Sequence, residues 1–526
     1  MKRAICTAVV VLLALAALAC WAAPAGAQPL VPFIANVLPD TGPVGMLVFI
    51  NGSDFGAVGP FSVVTFNGVG ATPLVWQDTI ITTRVPDGAT TGPVVVTTPF
   101  GVSNGVTFTV TAPPTPAQTW YLAEGSTAWG FETFVLMENT TATDASVNVV
   151  YNTQQYGRIP RPTAVIVPAS SRVTMRLNDD IPNVDVSTEL QSDQEIVAER
   201  SIYWNNRTEG TDSIGVVQPS MVWYMAEGCT TYPFETWLLV ANPNQLSVTP
   251  ANVDITYQTP TGPIQKATIQ VYTGQRVSLD VSKDVGFCDV SARVVSDQPV
   301  ICERSMYWDG RRGGHDSIGT VQGSRTWFMA EGSTAWGFTT WLLLQNPTAT
   351  AANVDVTYMT PDGAIVEPTM SLPANSRQTI KVNDYIQDYD VSIQVDSDTE
   401  IIAERSMYWN NGSGKAGNDT IGVISPETTI YLAEGSTAWG FESFVCIQNP
   451  NAAIAEVQVT YMTNNGPVAG ATRFVPPTSR MTINVADELP NTDASIKLTS
   501  DQPIMAERSM YWNSRGGGHV SIGWTP

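Results

Sequence analysis

With 526 residues, 43% of them hydrophobic, the chain is long enough to bury several cores rather than one. Its 26 Lys and Arg stand against 48 Asp and Glu, a net charge of −22, and such a surface repels phosphate backbones and excludes a nucleic-acid partner. The 41 glycines and 36 prolines, with no long helical pattern, favour many short strands joined by turns.

Lys2 and Arg3 precede an apolar run from Ala8 to Ala23, and Ala25-Gly26-Ala27 supplies a small-residue cleavage site. This predicts a signal peptide over 1–27 and a secreted, extracellular or cell-surface mature chain from Gln28. Lipid anchoring at Cys20 is the alternative, and no later stretch is apolar enough for a membrane span. Of the four remaining cysteines, Cys229, Cys288 and Cys302 fall close together, so at most one local disulfide is expected. Cys446 replaces Leu136, Leu239 and Leu343 of equivalent stretches and reads as a core residue.

Residues 28–111 form the first predicted domain. Pro39, Gly42, Pro43 and Gly45 mark a turn-rich start, followed by a strand at Leu47–Ile50 and a second turn cluster at Gly52, Phe55 and Gly56. Val63–Phe66 runs into an Asn67-Gly68 hairpin turn, and Gly92–Thr98 and Val106–Val110 complete the strands. With Trp76, Val85-Pro86 and Gly101-Val102-Ser103-Asn104-Gly105 in the same order, this segment resembles the IPT/TIG family of immunoglobulin-like domains. The resemblance implies a secreted or surface module with no catalytic residues. Residues 112–118, with three prolines, read as a semi-rigid linker.

The rest of the chain repeats itself. Ala123-Glu124-Gly125-Ser126-Thr127-Ala128-Trp129-Gly130-Phe131 returns nearly unchanged from Ala330 and from Ala433, and in looser form from Ala226. Spacing of this motif divides the chain into units at 119–218, 219–322, 323–425 and 426–526. Each shows an apolar strand after the motif and alternating strands such as Val253–Tyr257 and Arg276–Val281. A final hairpin is expected to turn at Ser192-Asp193, Ser296-Asp297, Ser397-Asp398 and Ser500-Asp501. About seven strands per hundred residues predict an all-β fold of tandem antiparallel β-sandwiches, immunoglobulin-like, one IPT/TIG domain plus four repeats; a propeller built from the four units is the alternative, set aside because its blades would be only about 40–50 residues long. Residues 120–524 resemble uncharacterised repeats of secreted bacterial surface proteins, a resemblance that implies no activity.

Several recurring groups are candidates for chemistry. Glu124, Glu227, Glu331 and Glu434, with Arg200, Arg304, Arg405 and Arg508 (each after a Glu at 199, 303, 404 or 507), are expected to form a buried lock between the first and last strands of each unit. Carboxylate pairs of this kind also suit glycoside hydrolysis, the weakest reading, because an active site rarely repeats fourfold. Trp129, Tyr232, Trp336 and Trp439 sit in loops, where they stack on sugar rings, fold back against their own sandwich or pack at the joint with the next unit. The Tyr-Trp pairs beginning at 203, 307, 408 and 511 read as core. His315 and His519 read as lying in Gly-rich loops without a partner at metal spacing, so no metal or other cofactor is expected. Calcium at Asn178-Asp179-Asp180 or Asn383-Asp384 is a minor option. The chain therefore reads as a non-enzymatic surface or matrix scaffold, an elongated array acting in adhesion toward cell-wall or extracellular polysaccharide or a surface protein. The alternative is a multivalent carbohydrate-binding protein.

Overall fold

The computed structural model describes residues 31–526 except 39, 43–46, 60, 87, 111–118, 245–248 and 411–414. The expected signal peptide, Cys20 and the Pro-rich linker lie outside the described residues. The chain divides at residue 115 into two compact units. Among the described residues no helix is long and apolar enough to cross a membrane.

The first unit is a pair of antiparallel sheets. Phe33–Leu38, Leu47–Ser53, Ile80–Arg84 and Pro73–Trp76 form one; Val106–Val110, Gly92–Thr98, Val63–Phe66 and Val69–Ala71 form the body of the other. Alternate residues of both sheets, among them Val48, Ile50, Val64, Phe66 and Phe108, close the core between them. Asn67 and Gly68 both take positive φ (45° and 87°), as the predicted hairpin turn requires.

Each repeat in the second unit folds as two antiparallel sheets joined by one strand. In the second repeat that strand is Ser291–Trp308; its first half pairs with Ser220–Met225 and Ala251–Thr259, its second half with Phe234–Asn242 and Gly313–Ile318. The third and fourth repeats match it with Ser392–Asn410 and Ala494–Trp512, while the first has a short break between Ser187–Ser192 and Ile196–Trp204. The hairpin expected at the Ser-Asp pairs is thus a passage from one sheet to the other. The aspartate there does not turn the chain: Asp297 Oδ1 accepts the Asn252 N–H at 2.8 Å, and Asp398 the Asn353 N–H at 2.8 Å.

The four repeats close into a ring. Their last strands, Glu209–Ile214, Gly313–Ile318, Lys415–Ile421 and Gly517–Ile522, pack side by side at the centre, the fourth against the first. Around them the Trp that ends each long strand crosses to the next repeat. Trp204 Nε1 donates to the Arg311 carbonyl (2.8 Å), Trp308 to Lys415 (2.7 Å), Trp409 to Arg515 (2.8 Å) and Trp512 back to Thr208 (3.2 Å). The sequence expectation of an elongated array is therefore corrected: the repeats have no free end.

The expected lock is corrected in the same way, because it joins neighbouring repeats rather than strands of one repeat. Arg200 reaches Glu303 (3.0 Å) and Asp316, Arg304 reaches Glu404 (3.3 Å) and Asp419, Arg405 reaches Glu507 (2.7 Å), and Arg508 returns to Glu199 (3.2 Å) and Asp212 (2.5 Å). Arg405 faces a single carboxylate because Val520 stands where the other repeats have aspartate; Asn418 Oδ1 accepts from it instead, at 2.7 Å. All four arginines are among the largest fully buried side chains. Removing one would strand its carboxylates, at a cost of roughly 3–5 kcal/mol.

Candidate functional site

The Ala-Glu-Gly opening of the repeated motif is the part of each repeat that docks on the next. The Ala123 N–H donates to Glu303 Oε1 at 2.7 Å, Glu227 N–H to Glu404, Ala330 N–H to Glu507 and Ala433 N–H to Glu199. Glu124 is buried beside Arg276 (3.8 Å) and accepts from Ser305 at 3.2 Å; Glu434 lies 3.9 Å from Arg172 and accepts from Ser201 at 2.9 Å. Glu227 accepts from Ser406, and Glu331 from the buried Cys446 thiol. The glycine that follows is needed for close approach: a Cβ on Gly125 would stand 2.6 Å from the Val186 carbonyl oxygen.

Beyond this buried part the motif turns sharply outward. The Phe131 N–H closes a turn on the Ala128 carbonyl at 2.9 Å, with Trp129 and Gly130 between them at φ of 57° and 83°. Two consecutive positive φ values belong to a type I′ turn, whose first central position favours Asn, Asp or Gly. A bulky aromatic there is an outlier, yet Trp336 and Trp439 repeat it at φ of 58°. The turn is held by Asn178, whose Oδ1 accepts the Thr133 N–H and whose Nδ2 donates to the Phe131 carbonyl; Asn383 does the same for its repeat. These amides, considered for calcium, are engaged with backbone, and among the described residues no group of three acidic, His or Cys side chains could hold a metal. In the second repeat a cis Tyr232–Pro233 peptide makes the turn.

None of the four aromatics folds back. Trp129, Trp336 and Trp439 are 82–84% exposed and Tyr232 is 88% exposed. The turns stand at the junctions between repeats, and the Trp indoles form one wall of a cleft at two of them. Trp129, Glu124 and Asp185 face Trp237, Tyr307 and Arg311 across about 370 Å³; Trp336, Glu331 and Asp390 face Phe444, Tyr511 and Arg515 across about 350 Å³. The junction of the second and third repeats opens a larger cleft of about 900 Å³, with Asp289, Trp341, Arg377 and Lys381 in its lining. The sequence signalled the rim aromatics but not the facing wall. That wall combines an outward position of the strand after the motif, Trp237 or Phe444, with a tyrosine near the end of the long strand and an arginine in the turn beyond it.

The ring centre is polar and buried. Three arginines there each face two carboxylates, and burial raises Asp212, Asp316 and Asp419 above the ordinary carboxyl range despite the arginine beside each. Glu227 and Glu303 are pushed up to about 7, first by burial, so the centre holds protons that exposed carboxylates would release. His315 and His519 lie in the central strands, not in loops. Burial, then the nearby arginines, drives both well below the usual histidine range, and their Nε2 atoms meet the hydroxyls of Tyr408 (2.9 Å) and Tyr203 (3.2 Å). The four cysteines of the described chain are free thiols. The Tyr-Trp pairs are buried, apart from the half-buried Tyr408, although against the neighbouring repeat.

Comparison with known families separates the two parts of the chain. Residues 32–110 are an IPT/TIG domain. The IPT/TIG domain precedes the ring, and residues 320–526, the third and fourth repeats, match a family of unknown function (DUF5719). No curated protein sequence matches the chain significantly. Among solved structures, a Thermotoga maritima protein (1070) is similar at 17% identity over 19% of this chain and 94% of its own, with a TM-score of 0.18. The Anabaena sensory rhodopsin transducer is similar at 22% identity over 15% and 93% (TM-score 0.14). SGBP-B from a xyloglucan utilisation locus of Bacteroides uniformis is similar at 12% identity over 51% and 96% (TM-score 0.13).

Proposed function

We propose that the chain is a secreted, non-enzymatic surface protein whose ring binds carbohydrate at several junction clefts at once. The observation that carries this is the triple recurrence of a bulky, solvent-facing tryptophan at positive φ, where a turn alone would select Asn or Gly. A strained residue that contributes nothing to packing is the kind retained for contact with a ligand. The indole offers a flat apolar face, and the Asp beside it and the Arg opposite offer partners for hydroxyls, the composition of a small-ligand cleft. Several sites on one rigid ring add by avidity, so weak individual contacts give firm retention on a polymer. The repeated glutamates are buried and engaged by the next repeat, which favours a binding role over hydrolysis.

The test is co-sedimentation of the mature chain with insoluble polysaccharides and cell-wall fractions, with Trp fluorescence read on what binds. The proposal expects saturable binding that the Trp129→Ala, Trp336→Ala, Trp439→Ala triple variant weakens through lost avidity, with its melting temperature preserved. Absence of binding across the panel, or equal binding by the triple variant, overturns it.

A further inference from the structure

Resting on that carbohydrate reading, we propose that the cleft between the second and third repeats is the principal site, built for an oligosaccharide several rings long lying on the indole of Trp341. In the other three repeats the aromatic at this position is roofed by an arginine. Arg311 stands 5.9 Å from the Trp237 ring centre and 5.2 Å from Tyr307, Arg515 stands 5.6 Å from Phe444 and 5.5 Å from Tyr511, and Arg207 stands 5.4 Å from Phe134. Each roof is tied down by a glutamate two residues before the aromatic: Glu235 at 3.5 Å, Glu442 at 3.2 Å, and Glu132. A cation over an aromatic face occupies the surface a sugar ring would use.

The third repeat has lost both halves of this device. Thr339 stands in place of the glutamate, and the stretch from Asn410 to Lys415 contains no arginine. Among the described residues no cation stands over the Trp341 ring, which is partly exposed toward the cleft. The volume follows: about 900 Å³ here against about 370 and 350 Å³ at the two roofed junctions. The first lies near the top of the roughly 300–1,000 Å³ range of ligand pockets and the others near its floor. This is also the junction whose rim carries Tyr232 rather than a strained tryptophan, so the open platform replaces the rim as the main contact. Asp289 and Arg377, 3.2 Å apart at the cleft edge, and Lys381 supply the polar partners. Thr339, Trp341 and the absent roof arginine thus set which junction accepts a long ligand.

The experiment is calorimetric titration of the mature chain with soluble cello-, xylo-, manno-, laminari- and chito-hexasaccharides and their monosaccharides. One hexasaccharide is expected to bind with one tight site per chain and its monosaccharide at least tenfold more weakly. Trp341→Ala should weaken the hexasaccharide at least tenfold. Arg311→Ala, which unroofs Trp237 on the chain surface, should raise the number of tight sites from one to two. A Trp341→Ala variant with unchanged affinity, or a folded Arg311→Ala with unchanged stoichiometry, overturns the assignment. If insoluble polysaccharide is still bound through the rim tryptophans while no hexasaccharide binds, this inference fails and the carbohydrate reading stands; if neither binds, both fail.

Discussion

Trp512→Ala separates a closed ring from an open array. Trp512 ends the long strand of the last repeat, so in an open array its indole would lie on a free face. In the ring it is 4% exposed, packs edge-on against Tyr203 at 5.4 Å and donates to the Thr208 carbonyl of the first repeat. Gly210 leaves room for it, since a Cβ there would come 3.0 Å from the indole. Truncating a buried tryptophan costs about 3–5 kcal/mol, whereas an exposed aromatic costs well under that. Trp308→Ala, at a junction within the chain, sets the scale because Trp308 makes the same contacts with the third repeat. Denaturant unfolding should therefore give Trp512→Ala and Trp308→Ala similar losses, each about 3–5 kcal/mol. A Trp512→Ala variant as stable as the parent, beside a strongly destabilised Trp308→Ala, would refute ring closure.

Two further outcomes follow from the same geometry. Because burial makes Glu227, Glu303, Asp212 and Asp419 hold protons more tightly folded than unfolded, stability should fall as pH rises from the ordinary carboxyl range through about 7, where Glu227 and Glu303 release theirs. Melting temperatures at pH 5.5 above those at pH 8.5 would agree, and the opposite order would contradict the proton-sharing centre. Trp439→Asn should relieve a left-handed strain of up to about 1 kcal/mol, so the variant is expected to melt no lower than the parent while its retention on polysaccharide weakens. A clear loss of stability would mean that the indole is a packing element after all.

Much of this architecture was legible in the sequence, and the parts that were not share one cause. Alternation, turn residues and the returning motif predicted strands, a two-part chain and four like units, because those signals are local. Closure was hidden because it is cyclic. Glu303 relates to Arg200 as Glu404 relates to Arg304, and a one-repeat displacement looks the same in every copy as a contact within the repeat. The Ser296-Asp297 pair resembled a turn because both residues favour turns, yet Asp297 caps a neighbouring strand where the long strand changes sheets. The glycines beside His315 suggested a loop. They are small because rings lie over the backbone: a Cβ on Gly314 would meet Tyr307 at 2.7 Å and Trp204 of the preceding repeat at 3.1 Å. The rim tryptophans were visible as loop aromatics, but their exposure depended on where the neighbouring repeat sits.

Small-angle scattering on residues 119–526 tests ring closure most directly. A closed, centrally packed ring of this length should have a radius of gyration near ~22 Å, the value for a compact chain, whereas four sandwiches end to end should exceed about twice that. A value near the compact figure, with a pair-distance distribution of a single peak, is the predicted result. An extended distribution with a long tail would contradict the ring and return the chain to an open array.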